Sequence, residues 1–216
     1  MHIKCLAAAF IAGIATLAGS THSAHAVYLN ARGMGQVLLY PYYTVNAHQN
    51  TLISVVNASS AGKVVHVRFR EGYNGRDVID FNVYLSPYDV WTAGVFDLSD
   101  AGADSDGAGI LSSDNSCVGG LPSGRLDEDR LADGTGYVAF RDNLYTNENA
   151  DGGPTGIERT REGQFEMLAV GDIVPQSALD RAITHVNGAP PNCPQAEQFA
   201  KQTGNLQPPT SGLIGT

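Results

Sequence analysis

Val65-His66-Val67-Arg68-Phe69-Arg70, then Glu71-Gly72-Tyr73-Asn74-Gly75-Arg76-Asp77, then Ile79-Asp80-Phe81-Asn82-Val83-Tyr84-Leu85 is the stretch whose reading decides the fold. Val65, Val67 and Phe69 alternate with His66, Arg68 and Arg70, and Ile79, Phe81, Val83 and Leu85 alternate with Asp80, Asn82 and Tyr84. A period of two places each apolar set on one side of an extended strand. Asn-Gly between two such runs signals a hairpin. A two-residue Asn74-Gly75 loop would set Phe69 opposite Asp80. An odd-length loop or a bulge instead sets Phe69 opposite Phe81, Val67 opposite Val83 and Val65 opposite Leu85. Only that second arrangement keeps the apolar residues on one face, so it is the one expected.

Working outward, Thr51–Asn57 reads as another strand, and Val37–Tyr40 as an apolar run halted at Pro41, which denies a ladder donor. Trp91–Phe96 follows the Ser86-Pro87 turn, and Tyr137–Arg141 and Phe165–Val170 add two more strands. Short strands separated by turns predict an antiparallel, immunoglobulin-like β-sandwich. Gln176–Ile183 and Pro194–Gln202 read as short helices on that core.

Residues 1–26 read as a secretory signal: Lys4 at the front, an apolar stretch from Cys5 to Ala18, and the small-residue cleavage pattern Ala24-His25-Ala26. The expected domain is 27–203, with an acidic loop insertion at 97–151 and a flexible tail at 204–216 that suits a truncated product. Export implies the periplasm, the outer cell surface or the exterior. Cys117 and Cys193 are the two cysteines beyond the signal, and in an oxidising compartment they are expected to pair as a disulfide.

The whole chain of 216 residues carries a formal charge of −9. Residues 97–151 alone hold 12 acids against three arginines. An acidic balance excludes a nucleic-acid partner, and no run after the signal is long and apolar enough to span a bilayer. The acidic segment resists burial and is expected as surface loops.

The strings Asn50–Asn57, Val67–Gly72 and Asp80–Thr92, with Gly35–Thr44 before them, resemble an uncharacterised family of secreted bacterial proteins described as cell surface proteins. The resemblance covers about residues 28–96. It implies a secreted β-rich protein and brings no established reaction or catalytic residue.

Asp100, Asp104, Asp106 and Asp114 offer hard oxygen ligands beside turn glycines, a partial match to a calcium loop. Gly102 interrupts the alternation, and no Glu closes it, so a solvated acidic loop is the simpler reading. Tyr43 and Tyr88, each beside a proline-marked turn, are the candidate exposed aromatics for a sugar or protein partner. For hydrolysis only His48, His66 and His185 follow the signal, and Gly120-Leu121-Pro122-Ser123-Gly124 misses nucleophile-elbow spacing by one residue. No catalytic residue is assigned. The reading is a secreted non-catalytic sandwich with a structural or adhesive role at the bacterial envelope or cell surface. The alternatives are a calcium-stabilised carbohydrate-binding module and a secreted hydrolase.

Overall fold

The computed structural model describes residues 33–216, so the segment 1–26, expected as a secretory signal, lies outside the described residues. Its strands are β1 (Val37–Thr44), β2 (Thr51–Asn57), β3 (Lys63–Glu71), β4 (Asp77–Leu85), β5 (Val90–Asp97) and β6 (Ala108–Leu111). They continue as β7 (Cys117–Gly119), β8 (Asp129–Arg130), β9 (Gly136–Ala139), β10 (Glu162–Ile173), β11 (Leu206–Gln207) and β12 (Leu213–Gly215). Two antiparallel sheets form a β-sandwich. The first runs β1-β10-β3-β4-β7, with β11 on β10, and the second β12-β2-β5-β6-β9-β8. This order does not single out the immunoglobulin arrangement. The helices are α1 (Ala178–Ile183) and α2 (Cys193–Ala200).

The β3–β4 hairpin keeps the expected face but not the expected partners. Val65 lies opposite Val83, Val67 opposite Phe81 and Phe69 opposite Ile79, two residues nearer the turn than pattern alone suggested. The ladder then shifts so that Arg70 meets Asp77, which leaves Val78 as the extra residue of a bulge. The tightening has a local cause. The Glu71 carboxylate accepts hydrogen bonds from the backbone N–H groups of Tyr73, Asn74 and Arg76, drawing the loop around itself. Gly75 there has φ +70°, a conformation that favours glycine.

Pro41 does not end its strand. β1 runs through it, and the register shifts between Tyr40 and Tyr43, placing the proline at an irregularity on an edge strand where no ladder donor is required. The shift turns Tyr43 inward. There it packs edge-on against Phe69, with centroids 5.3 Å apart, in an aromatic cluster with Phe140 and Phe165.

Trp91, Val65, Val67, Val83, Val95, Ile110 and Met167 fill the space between the sheets. A second apolar cluster joins Val64 and Tyr84 to Ile173, Leu179, Ile183 and Ala196, so α1 and α2 cover one end of the first sheet. The Cys117–Cys193 disulfide ties β7 to the start of α2 within that cluster.

Two expectations about loops need correction. Within 97–151 the chain forms β6, β7, β8 and β9, whose Ala108, Ile110, Val118 and Val138 are buried, while Asp104 and Asp106 stay exposed. The segment is thus not loop throughout. Residues 204–216 are not a loose tail either, because β11 pairs with β10 and β12 with β2. Among the described residues no helix is long and apolar enough to cross a membrane.

Candidate functional site

The two sheets turn opposite chemistry outward. On the first, Arg68 and Arg70 both pair with Asp77 and Glu166, and His66 contacts Asn82, giving a ladder of charge. Such pairs suit a solvated face.

Across β12, β2, β5 and β6 the outer face of the second sheet carries no charged residue and is banded by its register; Asp129 and Arg130 of β8 stand exposed at the far edge. Ile214, Val56 and Val90 lie in one row across β12, β2 and β5. In the next row Ser54 faces Thr92 on one side and, through paired backbone hydrogen bonds of 2.8 and 3.1 Å, Thr216 on the other. The Ser112 hydroxyl extends that row by donating to the Thr92 carbonyl at 2.6 Å. The third row is Leu52, Gly94 and Leu111. Residues two apart along a strand make the rows about 6.8 Å apart, an aliphatic, hydroxyl, aliphatic sequence.

Leu52 is 80% exposed and Val90 43%. Gly94 leaves a trough between the two leucines, since a Cβ there would meet Leu52 Cδ2 at 3.7 Å. The trough has a volume of about 410 Å³ and is lined by Leu52, Ser54, Thr92, Gly94, Leu111 and Thr216 among others. It shares Leu111, Ser112 and Ser113 with a cavity of about 180 Å³ walled by Asp114, Arg125 and Asp127, which Trp91 also lines. Trp91 is wholly buried, and its Nε1–H has no hydrogen-bond partner.

The candidate residues read from sequence separate in space. Tyr43 is buried, contrary to expectation, and its hydroxyl donates to the Thr160 carbonyl at 2.9 Å. The bulge at Pro41 is what turns it inward. Tyr88 is exposed, with φ +59° in the turn after Pro87. Asp100 lies 2.8 Å from His48 Nδ1, and Asp114 accepts from the backbone and hydroxyl of Ser116. Asp104 and Asp106 are exposed. Among the described residues no three His, Cys, Asp or Glu side chains gather as a metal group.

His66 sits on the charged face. His185 has a richer setting: Ser86 Oγ lies 3.1 Å from Nδ1, Asn115 Oδ1 2.8 Å from Nε2, and Asp89 Oδ2 3.7 Å from Nδ1. Asn115 in turn donates to the Gly188 carbonyl. The cluster ties the Ser86–Asp89 turn to the chain after α1.

Two buried ionic groups escaped sequence reasoning. Arg159 binds Glu71 and Asp151, and Lys63 binds Asp172. Burial alone would raise the Glu71 carboxyl. Hydrogen bonds from Arg159 and from the backbone of Arg76, Tyr73 and Asn74 outweigh it and hold the group down at about 2. Arg159 likewise holds the Asp151 carboxyl well below the usual range. The only sequence trace is that Glu71, Lys63 and Asp172 sit at strand ends.

No family model, no curated protein and no solved structure matches this chain.

Proposed function

We propose that this protein is a secreted, non-catalytic β-sandwich that serves as an interaction module at the bacterial envelope or cell surface. Its contact surface is the uncharged outer face formed by β12, β2, β5 and β6, and its partner is a neutral glycan. One observation carries the reading: a chain of net charge −9 leaves the outer face of four neighbouring strands, β12, β2, β5 and β6, without a charged side chain, while the first sheet's outer face is laddered with ions. An anionic partner is repelled by the acidic loops, and a cationic one is drawn to them instead. A neutral polyhydroxyl chain, with hydroxyl rims alternating with C–H patches, suits the hydroxyl row between two aliphatic rows.

A second copy of the chain suits the face less well. Four strands and five residues span roughly 19 by 17 Å, so two such faces bury about 650 Å², against about 1,200 Å² for a stable interface.

The test is an array of neutral and charged glycans probed with the mature protein and with Leu52→Lys and Thr92→Lys variants. Binding to neutral glycans that falls at least tenfold in both variants supports the reading. Binding that survives both substitutions, binding confined to charged glycans, no binding at all, or a stable dimer in solution overturns it.

A hydrolytic reading has one observation in its favour, the contact of Ser86 and Asn115 with His185. It places the nucleophile on a serine whose residue is 6% exposed.

A further inference from the structure

Lys63 on β3 and Asp172 on β10 are direct cross-strand partners, and their side chains are 0% and 2% exposed. Lys63 Nζ donates to Asp172 Oδ1 at 2.6 Å and to Thr210 at both its carbonyl oxygen (3.0 Å) and its Oγ1 (3.1 Å). The Thr210 hydroxyl donates to Asp172 Oδ2 at 2.5 Å, and its backbone N–H to Oδ1 at 3.2 Å. An amine, a carboxyl group and a hydroxyl therefore close a ring away from water, with the hydroxyl touching both other members. The C–O bond length limits the Nζ to Cγ separation to about 3.8 Å, close to the range in which bound groups react.

Burial of both charges carries a desolvation cost that an ion pair recovers only in part. Condensation of the same groups removes both charges and frees a water molecule. We propose that Lys63 and Asp172 join in an intramolecular amide bond, an isopeptide cross-link between β3 and β10, with the Thr210 hydroxyl relaying the protons. This stands independently of the glycan-face reading.

The step balances without oxidant or reductant. Thr210 Oγ1 takes a proton from the Nζ ammonium while passing its own to Asp172 Oδ2, leaving a neutral amine and a carboxylic acid. The Nζ lone pair attacks Cγ and forms the C–N bond. A second Nζ proton moves through Oγ1 to the Oδ2 hydroxyl. The Cγ–Oδ2 bond breaks with its electron pair, water leaves, and the Cγ–Oδ1 double bond re-forms. The product is one amide N–H and one water. Burial raises the Asp172 carboxyl, but the Lys63 and Thr210 hydrogen bonds lower it overall, so the carboxylic acid form is the reacting minority. The bond accordingly forms slowly after folding, drawn forward by loss of water.

Intact mass spectrometry of the purified, disulfide-bonded mature protein tests this directly, because the reading needs no variant to fold. The expected mass is one water below that of the disulfide-bonded sequence, with a branched tryptic peptide joining the segments that contain Lys63 and Asp172. Lys63→Met and Asp172→Ala are expected at full mass. Thr210→Val, with its β circular dichroism retained, is expected to cross-link at least tenfold more slowly. Wild-type protein at full mass after prolonged incubation overturns the proposal. A Thr210→Val protein that cross-links at the wild-type rate overturns the relay.

Discussion

Arg159 grips Glu71 with two parallel hydrogen bonds, Nε to Oε2 at 2.8 Å and Nη2 to Oε1 at 2.9 Å, although the residues stand 88 apart in the chain. The same guanidinium donates to both oxygens of Asp151 and lies 4.3 Å from the Tyr145 ring centroid. Glu71 meanwhile caps the β3–β4 loop. One arginine thus links the β3–β4 hairpin to the segment leading into β10.

Loss of Arg159 strands a buried carboxylate. Arg159→Met is expected to lower unfolding stability by about 3–5 kcal/mol, the usual effect of removing one partner from a buried pair. Urea denaturation followed by β circular dichroism measures it. A loss below about 1 kcal/mol would mean water reaches Glu71 as readily as the arginine does.

Acid should destabilise the protein in a defined window. Glu71 titrates at about 2 in the folded chain against an ordinary value of 4.5, a depressed carboxyl whose contribution is present above 4.5 and is lost as pH falls toward 2. Asp97 is also lowered on balance, by hydrogen bonds from Ser99 and the charge of Arg161 that outweigh the opposing effect of burial. Urea midpoints are expected to hold from about pH 7 to about pH 5 and then fall, Glu71 alone contributing on the order of 3 kcal/mol. In Arg159→Met the decline should be shallower. Stability that rises with acid over this range contradicts the assignment.

The disulfide closes a long loop, with its cysteines 76 positions apart. In the chain-entropy account, removing such a bridge costs up to about 4.5 kcal/mol. Paired Cys117→Ala and Cys193→Ala substitutions should lower the melting temperature and raise hydrogen exchange first in α2. Unchanged protection in α2 would show that the apolar cluster containing Tyr84 and Ala196 suffices to hold it.

Ser86 serves as a corner tie on this reading. A fluorophosphonate probe is expected to leave the folded protein unlabelled, and Ser86→Ala to lower stability by about 1 kcal/mol, the worth of one ordinary hydrogen bond. Labelling that disappears in Ser86→Ala would instead make His185 a catalytic base and the protein a hydrolase.

Side-chain alternation carried the first zone of the chain well. Thr51–Asn57 forms a strand over that very range, and the two faces of β3 and β4 fall as their pattern demands. Alternation is blind to a slide of two residues, because the same side chains still face inward. Glu71, by gathering three backbone donors, chose the register. Pro41 misled for a related reason. Its missing donor matters only on the paired side of a strand, and β1 occupies an edge. The uncharged face was invisible for the same cause: Leu52, Gly94 and Leu111 become neighbours only when β2, β5 and β6 are paired.

The amino-acid sequence by itself determined the class of fold and the faces of its clearest strands, since period-two burial is local, and it led to the expectation, met in the structure, that Cys117 pairs with Cys193. Tertiary structure alone decided the strand order, the inward turn of Tyr43, the uncharged face and the buried Arg159–Glu71 and Lys63–Asp172 pairs. Those features depend on contacts between residues tens of positions apart, where desolvation makes a charge seek whichever partner the fold brings within reach, and no local pattern records that choice.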